Sequence, residues 1–347
     1  MRIRQADIAD KLGISQSAVG LALRNHPRIS LKRREEVRRV AEEMGFRPDP
    51  YLAGLSAYRQ QKKAADFQGV IGWINHWSKP LNLRKYGEFE AYWRGASATA
   101  QRLGYQVEEI QWAEDCSAKR FERILTARGI QGVLIPPHQK NTDFDKLDWN
   151  KFSLIRFGMS VNRPDSNLVT SDQHRAMVMA VIKVKEYGYK RIGLMTDPDF
   201  EKILGGSYYG AFCWAQQLLK LDPALPPHFT RNEIFCADPK KEMQALNGWV
   251  SKHHPDAILT PCSHVPEMIK KLGYKIPEDI AVAGTSVLDL PVDTGIDQHS
   301  EGIGKIAVEM LIKQIYANER GEPLDPCRIL VESTWRDGKS LPRQRRS

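Results

Sequence analysis

The chain has 347 residues, 41% of them apolar, and a formal net charge of +9, which is enough for two or three domains with sizeable cores. No apolar run approaches a membrane span, no signal-peptide pattern opens the chain, and the five cysteines are odd in number without a Cys-x-x-Cys pair. These features exclude a disulfide-framed scaffold and lead to the expectation of reduced thiols, a cytoplasmic location and no membrane partner.

Residues 1–66 carry 14 Lys/Arg against 8 Asp/Glu, and residues 336–347 carry 5 against 1. The positive field therefore sits at the two ends, with a near-neutral middle, and a basic end suits a phosphate backbone. Gln5 to Leu12 has helical spacing and stops at Gly13, a residue that tolerates a left-handed turn. Ser15 can cap a second helix, Gln16 to Asn25, whose apolar Val19, Ala22 and Leu23 recur at three- and four-residue spacing. After His26-Pro27-Arg28-Ile29, Ser30 caps a third helix that runs to Met44 before Gly45. Two short helices across a glycine turn form a helix-turn-helix, in which the second helix enters the major groove of DNA. Arg28, Lys32, Arg33 and Arg34 cluster at the start of the third helix, where cations and helix N–H groups both meet phosphates.

Asp49 and Pro50 suit the cap and first position of a short helix reaching about Tyr58. So short a helix is marginal alone and orders when something packs on it. Two readings of its leucines, Leu52 and Leu55, stay open: a wedge into a minor groove, or a linker touching the next domain.

From Phe67 onward strands and helices alternate. Strands are expected at 70–74, 105–110, 132–135, 154–157, 191–195, 257–259 and 280–283. Helices are expected at 88–103, 118–128, 176–187, 210–219, 243–252 and 303–316. Such alternation argues for parallel sheets flanked by helices, and its length for two lobes with a cleft between them. His253, His254, Cys262 and His264 match no paired ligand spacing, so no metal is expected. The glycines around Gly205 form neither a P-loop nor a dinucleotide fingerprint, and no catalytic signature appears. Neither a cofactor nor an enzymatic activity is expected.

The segments Asp7-Ile8-Ala9, Gly13-Ile14-Ser15-Gln16-Ser17-Ala18-Val19, Ile29-Ser30 and Ala41-Glu42-Glu43-Met44-Gly45-Phe46-Arg47-Pro48 resemble the head of the LacI/GalR family of bacterial transcriptional regulators. Gly188-Tyr189-Lys190-Arg191-Ile192-Gly193, Pro255-Asp256-Ala257-Ile258, Ile276 to Gly284, and Asp297-Gln298 with Gly302 to Leu311 resemble later family blocks in order and spacing.

The resemblance implies an all-α helix-turn-helix head on an α/β two-lobed body like that of periplasmic binding proteins. By position the head covers 1–47, a hinge helix and linker 48–63, and the effector-binding and dimerisation domain 64–340. Lobe 1 would take about 67–169 and 298–327, lobe 2 about 170–297 and 328–340, and 341–347 would be a basic tail. It further implies a homodimer, expected to be a repressor, on a palindromic double-stranded operator. A small metabolite, a sugar or sugar derivative first of all, would bind between the lobes. The rival functions are a solute-binding protein of the same architecture and a regulator that has lost its effector.

The residues implied for DNA are Gln5, Ser15, Gln16, Ser17, Gly20, Leu21, Arg24, Asn25, Arg28, Ser30, Arg33 and, for the minor groove, Leu55. Those implied for the effector are Asn75, His76, Trp77, His138, Ser207, Tyr208, Trp214, Cys262 and Ser286. The chain departs from the family where Thr-Val-Ser-Arg becomes Ala18-Val19-Gly20-Leu21, which removes two hydroxyls and a guanidinium from the reading helix. In the cleft, Ser207, Cys262-Ser263 and Gly284-Thr285-Ser286-Val287 replace charged or strongly polar family residues. A different operator and a differently built effector site are therefore expected.

Overall fold

The computed structural model describes residues 3–23, 28–46, 67–138, 143–231 and 236–344. Arg24, Asn25 and the expected hinge helix with Leu52 and Leu55 lie outside the described residues.

Three helices build the head: α1 (Gln5–Leu12), α2 (Gln16–Leu23) and α3 (Leu31–Glu43). Their ends are set by local chemistry. Arg4 N donates to Asp7 Oδ2 at 2.6 Å ahead of α1, and Gly13 stops that helix at φ 63°. Ser15 Oγ accepts from Ala18 N at 3.1 Å, and Ser30 Oγ from Arg33 N at 3.4 Å. Each cap satisfies an N–H that the first turn leaves without a helical partner. Ile8, Ala9, Val19, Ala22, Val37, Val40 and Ala41 close the small core.

Two six-stranded sheets form the body, and they share one topology. The first contains β1 (Gly69–Asn75), β2 (Tyr105–Gln111), β3 (Gly132–Ile135), β4 (Ser153–Phe157), β5 (Asn167–Ser171) and β11 (Arg328–Val331), in the order β2-β1-β3-β4-β5-β11. Every pairing in it is parallel. The second contains β6 (Ile192–Thr196), β7 (His228–Phe229), β8 (Ala257–Thr260), β9 (Ala281–Gly284), β10 (Gly295–Asp297) and β12 (Thr334–Arg336), in the order β7-β6-β8-β9-β10-β12. Only β12 runs antiparallel, against β10. Central strands such as Gly132-Val133-Leu134-Ile135 are buried throughout, because helices cover both faces of a parallel sheet.

Lobe 1 carries α4 (Gly87–Arg102), α5 (Ala118–Ala127) and α11 (Ser300–Ala317). Lobe 2 carries α6 (Gln173–Glu186), α7 (Pro198–Ile203), α8 (Ser207–Leu218), α9 (Pro239–His253) and α10 (Val265–Lys271). Helices α4 and α11 meet backbone to backbone. A Cβ at Gly95 would collide with Glu301 O, and one at Gly304 with Tyr92 O. Only residues without a side chain permit that approach.

The chain passes between lobes three times, after β5, after β10 and after β11. The crossings are laced to one another. Ser171 Oγ donates to Gln298 Oε1 at 2.7 Å, Asp172 N to Val331 O at 3.0 Å, and Thr334 Oγ1 lies 3.0 Å from His299 Nε2.

Two expectations need correcting. Residues 328–331 pair with β5 in the first sheet, so the last crossing lies beyond them and not before Arg328. The segment expected as a basic tail, 341–347, is tied down as far as Gln344. Leu341 is fully buried, Tyr189 Oη donates to Pro342 O, Gln344 N donates to Tyr187 O, and Arg343 lies over the Tyr187 ring. An apolar anchor, one backbone hydrogen bond and one from the Tyr189 hydroxyl outweigh the charge that made this stretch look like a tail.

Candidate functional site

On the head, α2 turns Val19 and Ala22 inward and leaves Gln16 and Ser17 exposed beside the cap Ser15. These two are the polar side chains that α2 offers to a partner. Leu21 is half-buried, and Gly20 is buried and offers no side chain. Gln5 is half-buried at the first turn of α1. Arg28 and Ser30 are exposed at the start of α3, whereas Arg33 is held by Glu36 at 2.6 Å. Arg34 and Arg38 are half-buried near Arg320 of the body, and burial lowers the pKa of both. The cationic surface of the head is therefore smaller than its sequence suggests.

In the body, the strand order reverses beside β1 in lobe 1 and beside β6 in lobe 2, and in open sheets such points are where ligands collect, at the carboxyl ends of the strands. At the lobe 1 point, Asn75 ends β1 fully buried. Its Nδ2 donates to Pro80 O at 3.0 Å and Glu109 Oε1 at 2.8 Å. His76 N donates to His138 Nε2 at 3.0 Å, and His138 Nδ1 lies 2.7 Å from Pro136 O. Burial lowers the His138 pKa to about 4, so this imidazole is neutral and acts as a strut. Trp77 is only 6% exposed and donates Nε1 to Pro137 O at 3.0 Å. At these four positions the described contacts serve the folding of the loops.

At the lobe 2 point, Ser207 Oγ donates to Leu204 O at 2.6 Å. Tyr208 is 2% exposed and packs into the lobe core. Trp214 lies 52% exposed on the solvent face of α8, away from the buried row Tyr208, Ala211, Phe212 and Ala215. Cys262 is buried, and desolvation pushes its thiol up to about 12.

The residue that joins the lobes is one the sequence did not single out. Glu88, in the first turn of α4, is 4% exposed. Its two carboxyl oxygens accept from Ser286 Oγ, after β9 in lobe 2, and Ser300 Oγ, at the start of α11. Beside it Asp289 Oδ1 accepts from Gly87 N, and Gln298 Nε2 donates to Thr285 O at 2.8 Å. Desolvation pushes Glu88 up to about 7. The hydrogen bond from Ser286 opposes this, and the charges of Asp289 and Asp297 add to it. Tyr92 and Tyr208 lie in the same environment, and burial raises both phenols far above their usual range. A second buried acid, Glu201, accepts from Thr196 Oγ1 at 2.8 Å and from Tyr209 N at 3.2 Å. Glu88 thus joins the two lobes through hydroxyls, while the contacts of Glu201 lie within lobe 2. Glu88 and Glu201 were hidden in the sequence because charged residues in a helix's first turn usually read as solvated.

A helix-turn-helix head on a doubly wound two-lobed body defines a DNA-binding transcriptional regulator with a periplasmic-binding-protein-like domain. The family profile "Bacterial regulatory proteins, lacI family" matches residues 6–49, and "Periplasmic binding protein-like domain" matches residues 181–341. The chain is 24% identical to the HTH-type transcriptional repressor CytR of Escherichia coli (strain K12), over 95% of each chain. Among solved structures, a transcriptional regulator CelR-cellobiose complex superposes with a TM-score of 0.58 at 16% identity, covering 98% of this chain and 100% of the other. The lac repressor dimer bound to operator and the anti-inducer ONPF gives 0.55 at 16% identity, covering 99% and 100%. The chain carries a lacI-family helix-turn-helix domain and a periplasmic-binding-protein-like domain, and its relatives are LacI-family transcriptional regulators rather than enzymes. Among the described residues, no helix is long and apolar enough to cross a membrane.

Proposed function

We propose that this regulator represses transcription from the cytoplasm by binding a palindromic operator as a homodimer, and that a small hydroxyl-rich metabolite bound between its lobes modulates the grip. The observation that carries the DNA half is the capped helix α2 with Gln16 and Ser17 exposed on it. A glutamine amide pairs with an adenine edge, a serine hydroxyl with several bases, and Leu21 with a thymine methyl. Arg28 and the helix start at Ser30 serve phosphates, which position the head without reading sequence. With only two polar reading side chains on α2, phosphate contacts and the expected wedge Leu55 carry a large share of the affinity.

The effector half rests on the acid Glu88 with Ser286 and Ser300 where the lobes meet, and on the buried acid Glu201 with Thr196 in lobe 2. Carboxylates that accept from hydroxyls suit a polyol or sugar, whose hydroxyl groups replace those of the serines. The CelR relative was solved with cellobiose, which favours the same chemistry here. Each lobe contributes part of the set, so a bound ligand biases how the lobes meet.

Two experiments test this. Selection of duplexes from a random pool should return a palindrome with two half-sites, while Gln16→Ala relaxes the preference at one base pair per half-site. Recovery of no preferred duplex would end the DNA reading. A thermal-shift panel of sugars and polyols should raise the melting point with at least one member, because a ligand that binds only the folded state must stabilise it. A silent panel at millimolar concentration, with operator binding intact, would favour a regulator without an effector.

A further inference from the structure

A cavity between the lobes, of about 170 Å³, is lined by none of the candidate effector residues. From lobe 1 it takes Arg156 on β4, Asn162 in the following loop and Arg328 on β11. From lobe 2 it takes Lys202, at the end of α7, and Gly205. Arg156 is a cation on a central strand and only 8% exposed. Its Nη1 donates to Val161 O, and its Nη2 to Ser166 O at 3.2 Å and Asp165 Oδ1 at 3.4 Å. Its Nε is buried and has no hydrogen-bond partner among the described residues.

Asp165 is half-exposed and is a weak counterion for so buried a charge. Nearby Arg163 is spent on Glu322 at 3.3 Å. Arg328 and Lys202 are exposed at the mouth of the cavity. Three cations thus line a hollow wide enough for several waters or one phosphate-sized group, and Asp165 is the only carboxylate hydrogen-bonded to Arg156 among the described residues, with Glu322 acting on it from further off. A buried guanidinium with unspent hydrogen-bonding capacity is stabilised by an anion.

We infer that this cavity binds a small dianion, the phosphoryl group of a phosphate monoester or the carboxylates of a dicarboxylic acid. The anion bridges Arg156 and Arg328 of lobe 1 to Lys202 of lobe 2. It acts apart from the effector between Glu88 and Ser286, and by touching both lobes it favours the arrangement in which they meet.

The test is titration of the full chain with inorganic phosphate and, in a separate arm, succinate. Ionic strength is held constant with chloride, and binding is read by calorimetry and thermal midpoint. Saturable binding in either arm is expected, and the tighter arm identifies the group. Arg328→Ala and Lys202→Ala, both at exposed positions that leave the core intact, should each weaken binding about tenfold. Asp165→Asn removes the competing carboxylate and should tighten it. No saturable response in either arm overturns the proposal. A response that is the same in wild type and all three variants also overturns it, and reports an adventitious ion only.

Discussion

Glu88→Gln isolates the buried acid between the lobes, because Gln keeps the shape and bonding capacity of the protonated carboxyl but does not titrate. In the folded chain Glu88 rises from 4.5 to about 7. At about 1.4 kcal/mol per pH unit, this is a preference of about 3 kcal/mol for the protonated form. The folded pKa lies above the unfolded one, so the folded state binds more protons between the two. The stability this gives is fully present below pH 4.5 and is lost as pH rises through about 7. Wild type should therefore lose about 3 kcal/mol relative to Glu88→Gln between about pH 4.5 and pH 8, with the variant the more stable at the alkaline end. Urea unfolding of both proteins across that range measures the difference. Subtracting one curve from the other cancels the titrating groups that are not coupled to Glu88, which leaves Asp289 and Asp297 as its partners in the difference. His138 is among the groups that cancel, and it works in the opposite sense. Its pKa is lowered to about 4, so its contribution is present above pH 6.5 and lost as pH falls through 4. A pH-independent difference between the two proteins would refute the desolvated acid.

Ser15→Ala removes the cap of α2 and should cost about 1 kcal/mol, read as about fivefold faster amide exchange in that helix. Arg28→Ala should weaken operator binding on every sequence alike and flatten the salt dependence by about one unit of slope; an unchanged slope would remove Arg28 from the phosphate contacts. Gly304→Ala forces α4 and α11 apart at Tyr92 and should cost about 1–3 kcal/mol, visible as a melting point lower by several degrees. An unchanged melting point would mean that the helices separate freely.

The regular elements were legible because their cause is local. The caps Ser15 and Ser30, the stop at Gly13 and the apolar strand cores are properties of a few neighbouring residues. Strands β5, β7, β10, β11 and β12 were not expected. They are short and several alternate in exposure, and what makes them strands is a partner far away in the chain, such as Arg328 against Leu168. The site was less legible for the same reason. Asn75, His76, Trp77 and His138 lie at or just beyond the ends of β1 and β3, but their polar atoms are taken up by loop carbonyls and by each other. Glu88 acquires its environment from Ser286 and Ser300, about two hundred residues downstream.

The three laced crossings bear on how this regulator signals. A single strap between two bodies lets them swing and swivel, whereas three straps fastened edge to edge, through Ser171 to Gln298, Asp172 to Val331 and Thr334 to His299, resist torsion and leave one soft rocking axis. Under the proposed effector reading, a metabolite's message would reach the head as a change in one angle, and substitutions in the straps should alter how far that angle travels before they alter how tightly the metabolite is held.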